Sequence, residues 1–576
     1  MKTLFLLLFS FSIASAFGQT NFVVTNTAAD QVLHGNYDPN NFPGSTVAAS
    51  TYPLLINQLV NPDTLKEYII KLSTFRNRNT GSDTVSTETG IGAARRWVHQ
   101  KFEEYSSFNS NLLPAYFQFD QEICEVNQHR NIIAVLPGFQ VEDPSPIVIE
   151  GHIDSRCAGV CDIDCIAEGV EDNATGTALV MELARVLAPY KLKRTLVFMV
   201  TIGEEQGLHG ADAFAKYCNQ ENINVRAVFN NDVIGGIICG ETASPPGCTG
   251  EGDIDSTSVR IFSDAIGNSP SKGLARFAKL EYQEDLKPFV SVPMELRIMS
   301  PEDRTGRGGD HIPFRVAGYP AIRYCAANEH GDASNGPDYD DRQHTEDDIL
   351  GIDTDNDQVI DSFFVDFNYL ARNTVINGTS AAAAANGLLA PNIVTKKLDD
   401  GSIEVTIVPA EEGVSYKIGV RTLSNDFDSI YETRALVDTV SRIGSIALYF
   451  LSAAVVDDQG IESLFSEEKR VISAGGTSID EEEFKPKGVY LGANKPNPFD
   501  EATNIMFEAD ANYAGKKASI VITDLSGKEI RRMEMKVEPG FNEVLYRHGY
   551  GVTGTFLYSL YIDGQHFGTK PMVFAN

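Results

Sequence analysis

At 576 residues the chain is too long for one ordinary domain, and several hydrophobic cores are expected. Its composition, 42% hydrophobic and 22% charged, is that of a globular protein and excludes a disordered or membrane-embedded one. The 79 acidic and 47 basic residues leave a formal charge of -32, which argues against nucleic acid as a partner, since such binding needs basic surface.

The opening MKTLFLLLFSFSIASAFGQT has a lysine, a short apolar run and small residues before Phe17. That is the pattern of a secretory signal peptide, so residues 1–18 are set apart from the mature fold and a secreted or surface-attached protein is expected. No later segment is long and apolar enough to be a transmembrane segment. Amphipathic helices are predicted in LVNPDTLKEYIIKLSTF and TGIGAARRWVHQKFEEY. A buried strand follows in SPIVIEGHID, then a helix in NATGTALVMELARVL with Asp172 or Asn173 as its N-cap. Next come the strand TLVFMVTIG, a helix through GLHGADAFAKYC, the strands VRAVFNND and YPAIRYCA, and a helix through QVIDSFFVDFNYLARNTV. This alternation predicts an α/β fold over residues 19–387, a mixed, mostly parallel sheet flanked by helices. The alanine run Ala381 to Ala385 reads as the end of that domain.

Beyond it the texture is all-β. Short alternating strands fill residues 388–475, an acidic linker occupies 476–488, and a second strand-rich segment runs from 489 to 576. These are expected to be two small β-sandwich domains.

The eight cysteines are Cys124, Cys157, Cys161, Cys165, Cys218, Cys239, Cys248 and Cys325. The cluster CAGVCDIDC lacks the paired CxxC spacing of zinc thiolates, and an exported chain meets an oxidising environment. Disulfides are therefore expected.

The strand ends carry the chemistry. SPIVIEGHID ends in His152 and Asp154, and EGVEDNATG places Asp172 at the mouth of a helix. TLVFMVTIG runs into Glu204 and Glu205, VRAVFNND ends in Asp232, and the later DRQHTEDD holds His344. In open α/β sheets, sites form beyond the carboxyl ends of the strands. Packing alone does not place His, Asp, Glu, Asp and His there in succession. Imidazole and carboxylate donors suit zinc, and five ligands serve two ions that share one carboxylate. Neighbouring side chains on an extended backbone point to opposite sides, so Glu204 and Glu205 cannot share one role.

The blocks GHID, EDNATGTALVMELAR, TIGEEQGLHGA, NNDVIGG, GGDHIPF and QHTEDD together resemble the secreted co-catalytic di-zinc exopeptidases, the family of bacterial leucyl aminopeptidases, over residues from about 60 to 380. The resemblance implies two zinc ions. His152 and Asp232 would hold one, Glu205 and His344 the other, and Asp172 would bridge both. Asp154 would fix the His152 ring by accepting its other N–H, and Glu204 would be the general base for a metal-activated water. The implied activity is hydrolysis of peptides with a free N-terminus. The alternatives are a glutaminyl cyclase or metallocarboxypeptidase on the same scaffold, or a surface-binding protein with a vestigial metal site.

Residues 388–475, through YKIGVRT and AAVVDDQGIES, resemble a fibronectin type III domain that lacks the usual core Trp. The blocks KPNPF, ITDLSGKEI and GTFLYSLY in 489–576 resemble the C-terminal sorting domain of the Bacteroidetes type-nine secretion system, which implies the outer-membrane secretion machinery as a partner.

Three smaller features stand apart. His311 and His209 read as structural, and Arg304, Arg307 and Asp310 as either cleft-lining residues or a solvated loop. DTDNDQVID spaces its acids like a calcium loop, but Gln358 stands where glycine is wanted and no Glu closes it. A solvated helix start is expected there.

Overall fold

The computed structural model describes residues 19–574 apart from 109–110, 239–251, 265–268, 300–301, 304–307, 330–341, 423, 442–447, 473–487, 495–496, 500–501, 526 and 549–552. The signal segment 1–18, nearly all of the linker 476–488, Cys239, Cys248, Arg304 and Arg307 lie outside the described residues.

Nine strands form one sheet: β1 (Thr20–Val24), β2 (Leu113–Ile123), β3 (Val126–Leu136), β4 (Ile147–His152), β5 (Leu196–Thr201), β6 (Ala227–Asn231), β7 (Ser258–Phe262), β8 (Glu295–Ile298) and β9 (Ala321–Ala326). Their spatial order is β1-β2-β3-β5-β4-β6-β9-β7-β8. The middle four, β5-β4-β6-β9, run parallel. Each is buried along its whole length, as continuous apolar runs covered on both faces require. Because they are parallel, their carboxyl ends share one edge of the sheet. The flanks are less uniform than expected. β1, β2 and β3 pair antiparallel, β3 meets β5 antiparallel, and β7 meets β9 antiparallel, while the edge pair β7–β8 is again parallel. The β2–β3 hairpin was not foreseen, because Leu113–Ile123 mixes glutamines and acids into an alternating, half-covered strand.

Two helices press on this sheet from close range. Helix Thr175–Leu187 is buried over nearly its entire length. Its first turn sits so near β6 that a Cβ on Gly176 would meet the Asn231 carbonyl at 2.1 Å. Helix Phe367–Asn386 corrects one expectation. It begins later than predicted, where the Asp366 carboxylate accepts the Tyr369 N–H at 2.7 Å, and it carries the alanine run inside it. Alanine has the highest helix propensity, so the run prolongs the helix to Asn386, and the next strand, Asn392–Lys397, belongs to another sheet. Close packing is its other use: a Cβ on Gly378 would lie 2.5 Å from Leu183 Cδ2.

The loop Asp353–Asp361 holds no helix start. The Asp353 carboxylate accepts backbone N–H groups of Asn356 and Gln358, both at 2.7 Å, and a short hairpin, Gly351–Ile352 with Ser362–Phe363, closes it.

Two further pairs of antiparallel sheets follow. Three strands (Asn392–Lys397, Ile403–Val408, Val437–Val440) and four strands (Ser429–Thr433, Ser415–Arg421, Leu448–Val456, Lys469–Ile472) enclose one core around Ile407, Ile418 and Leu451. The second set has three strands (Val489–Leu491, Ala502–Ala509, Gly540–Arg547) and four (Glu529–Lys536, Lys517–Thr523, Gly554–Ile562, Gln565–Phe574) around Ile505, Ile520 and Tyr558. The first of these sets is tied to the α/β part by ion pairs, among them Arg276 to Glu468 at 2.9 Å and Lys193 to Asp457 at 3.2 Å. Among the described residues no helix is long and apolar enough to cross a membrane.

Candidate metal centre

Every residue singled out at the strand ends arrives at the carboxyl edge of the parallel strands. His152 ends β4, and the loop after β5 carries Glu204 and Glu205. Asp232 follows β6 directly. Asp172 lies in the turn before helix Thr175–Leu187, in non-helical backbone, and the Asp172–Asn173 peptide bond is cis. The capping role falls to Asn173, whose Oδ1 accepts the Gly176 N–H at 2.9 Å, which leaves the Asp172 carboxylate free to turn into the centre.

That carboxylate joins two halves. Asp172 Oδ1 is 3.2 Å from His152 Nε2, and Oδ2 is 3.1 Å from His344 Nε2. His152 Nε2 also lies 3.3 Å from Asp232 Oδ1, and His344 Nε2 lies 3.1 Å from Glu205 Oε2. Two donor groups result, His152 with Glu204 and Asp232, and Asp172 with Glu205 and His344, each with its donor atoms within 4.8 Å of one another. The residues fit zinc. Imidazole nitrogens and carboxylate oxygens converge, as zinc prefers. Glu205 Oε1 is moreover buried without a protein partner, a costly state for a carboxylate that faces nothing.

Asp154 lies against the His152 ring. His152 Nδ1 lies 3.0 Å from the Asp154 backbone carbonyl and 3.6 Å from its Oδ1. The carboxylate also accepts two backbone N–H groups, from Glu204 at 3.4 Å and from Glu205 at 3.2 Å. Burial pushes the Glu204 carboxyl well above its usual range, with His152 pulling the other way.

Several residues around the centre were not read as partners of the ligands. Arg323 on β9 is fully buried with its Nε 3.1 Å from Asp232 Oδ2. Arg156 places Nε 2.7 Å from Glu205 Oε2. The Asp348 carboxylate accepts the N–H groups of Glu171 and Asp172, at 2.8 and 3.0 Å, and so holds the turn that presents Asp172. Only the basic character of the two arginines marks them in the sequence, and nothing there says which acids they meet. Asp310 is buried beside the centre rather than in a solvated loop. Burial pushes its carboxyl up to about 7, and it accepts the Thr201 hydroxyl at 2.5 Å. His311 is buried and bonded to the Glu302 carbonyl at 2.9 Å, and His209 to Gln121 at 3.0 Å.

The rim of the centre is cross-linked. Cys157 is bonded to Cys165 and Cys161 to Cys124, so the whole CAGVCDIDC cluster is spent on disulfides. Cys218 and Cys325 remain buried free thiols. Asp353, Asp355 and Asp357 also bring oxygens within 4.8 Å of one another, in an exposed loop whose own N–H groups already use Asp353.

Residues 131–239 match the model of peptidase family M28. A probable zinc metalloprotease of Pyricularia oryzae is 31% identical over 383 residues, covering 61% of this chain and 71% of the relative. One from Leptosphaeria maculans is 29% identical over 410 residues, covering 68% of this chain and 89% of the relative. Among solved structures, the LapA aminopeptidase of Legionella pneumophila is 18% identical with a TM-score of 0.42, covering 58% of this chain and 74% of its own, a likeness too distant to bear on activity. With its histidine and carboxylate donors gathered at one sheet edge and these relatives beside it, the chain belongs to peptidase family M28, as a zinc metallopeptidase.

Proposed function

We propose that the chain is an exported aminopeptidase that works with two zinc ions. The observation that carries this reading is the Asp172 carboxylate, with one oxygen 3.2 Å from His152 Nε2 and the other 3.1 Å from His344 Nε2. His152 and Asp232 would hold one ion, Glu205 and His344 the other, with Asp172 common to both. When bound, zinc supplies a Lewis acid and a water whose pKa is lowered to about 7. Glu204 moves the proton: its carboxylate takes one from the attacking water and passes it to the leaving amine nitrogen. A carboxyl raised by burial holds such a proton better than an exposed one. Asp154 fixes the loop from which Glu204 acts, through the two N–H groups it accepts. The surplus of carboxylates around the centre gives a free substrate ammonium its partner.

Export belongs to the same reading. Residues 1–18 direct the chain across the inner membrane, 388–475 form a fibronectin type III-like sandwich, and 489–576 engage the outer-membrane secretion machinery. What supports the last is that ITDLSGKEI and GTFLYSLY fall on neighbouring, paired strands of one four-stranded sheet.

Hydrolysis of a panel of aminoacyl-nitroanilides by the full chain, before and after chelation, tests the activity. Release that zinc restores and Glu204→Gln abolishes, with zinc still bound to the variant, is the expected result. No release from any unblocked substrate would sink the aminopeptidase reading. Cyclisation of N-terminal glutamine would then assign the centre to a cyclase.

A further inference from the structure

Each half of the centre has a carboxylate with one oxygen held by a guanidinium. Asp232 turns Oδ1 to His152 Nε2 at 3.3 Å while Arg323 Nε sits 3.1 Å from its Oδ2. Glu205 differs in that one oxygen, Oε2, faces both Arg156 Nε at 2.7 Å and His344 Nε2 at 3.1 Å, while Oε1 is buried without a hydrogen-bond partner. The two arginines are anchored differently. Arg323 is part of strand β9 and is buried there with a second partner, Asp303, at 2.8 Å. Arg156 lies in the segment after β4, and its anchor is the cysteine loop. Its NH1 donates to the carbonyls of Cys157 and Ala158, at 3.1 and 3.4 Å. Cys157 is bonded to Cys165, and Cys161 in the same loop is bonded to Cys124 in the turn between β2 and β3. The arginine side chain is 14% exposed.

We propose that Arg156 is a positioning residue for Glu205, and that it makes one half of the centre dependent on the disulfide-closed loop while the Asp232 half is not. By holding Oε2, Arg156 fixes the orientation in which the carboxylate meets His344. Its NH2 also lies 2.8 Å from His344 Nδ1, but that contact asks Nδ1 to accept, so the proposal stands on the Glu205 bond. Two effects compete. A guanidinium beside the ligands repels a cation, whereas a fixed carboxylate binds one better. Asp154, Asp172, Glu205 and Asp232 still outnumber the guanidinium groups of Arg78, Arg156 and Arg323, so attraction for a cation survives with Arg156 in place. Orientation is then the larger effect, and losing a partner that orients a metal ligand typically costs about 10–100-fold in metal affinity.

This inference rests on the two-ion reading above, and the experiment separates them. Zinc binding to the full chain is titrated against a competing chelator, with metal content per chain measured for wild type, Arg156→Ala and the pair Cys157→Ser with Cys165→Ser. The serine pair leaves Arg156 and every ligand in place, and circular dichroism establishes that each variant is folded. Two ions on the wild type, with one of them weakened about 10-fold or more in both variants and the other unchanged, is the expected result. Two ions on the wild type with both affinities unchanged, both weakened alike, or one tightened in Arg156→Ala would overturn the role of Arg156 alone. Fewer than two ions on the wild type overturns the two-ion reading and the proposal with it.

Discussion

The Asp154 carboxylate accepts the backbone N–H groups of both Glu204 and Glu205, so a side chain at the end of β4 shapes the loop that follows β5. Asp154→Asn replaces one acceptor oxygen by an NH2 that would face an N–H. We expect zinc affinity or turnover to fall by about 10–100-fold while the fold persists, as for other residues that orient a metal site. Zinc titration and nitroanilide turnover of the variant check this, and an unchanged variant would show that the loop holds itself.

Removal of zinc leaves Asp172, Glu205 and Asp232 close together with Arg156 and Arg323 as counter-charge for only two of them. An ion bound only by the folded state stabilises it by about 4 kcal/mol at a free concentration of 1,000 times Kd. Chelation should therefore lower the melting temperature of the α/β part, with zinc restoring it and calcium, which prefers oxygen donors, failing to. A melting temperature indifferent to chelator would remove the structural weight of the metal.

Arg323 is the buried counter-charge of Asp232, and truncating one member of such a pair leaves the other uncompensated. Arg323→Met should cost about 3–5 kcal/mol in denaturant unfolding. Adding Asp232→Asn should recover part of that loss. If the single variant unfolds like wild type, the pair is not a stabilising feature.

Lys272, in helix Pro270–Glu281, is fully buried and donates to the Met299 carbonyl. Burial, with Arg276 adding to it, pulls its ammonium down to about 7 from an ordinary 10.5. Between those values the unfolded chain binds a proton that the folded one does not, so this group's contribution rises with pH and is lost as pH falls through about 7. Lys272→Met should therefore gain most over wild type near pH 6 and least near pH 10. Denaturant midpoints of both chains across that range would show the narrowing, and a constant difference would count against it.

The buried parallel strands were legible because continuous apolar runs bounded by glycine and acids admit few other readings. The β2–β3 hairpin was not, since its polar alternation has no local turn signal stronger than a glutamate. The alanine run was legible in part: propensity makes Ala381 to Ala385 helical, while the close approach of Gly378 in the same helix to Leu183 is visible only in the packing.

By itself the sequence determined the kind of donors and the strand ends that carry them, because ligand chemistry is written in residue type and in local spacing such as that of His152 and Asp154. Tertiary structure alone decided which partner each donor has. Arg156 and Glu205 are 49 residues apart, Glu171 and Asp348 are 177 apart, and Arg323 meets Asp232 only because β9 lies beside β6. Ion pairs of this sort depend on strand order and on where a loop is tied down, and a charged side chain looks the same in sequence whether it faces water or a buried carboxylate.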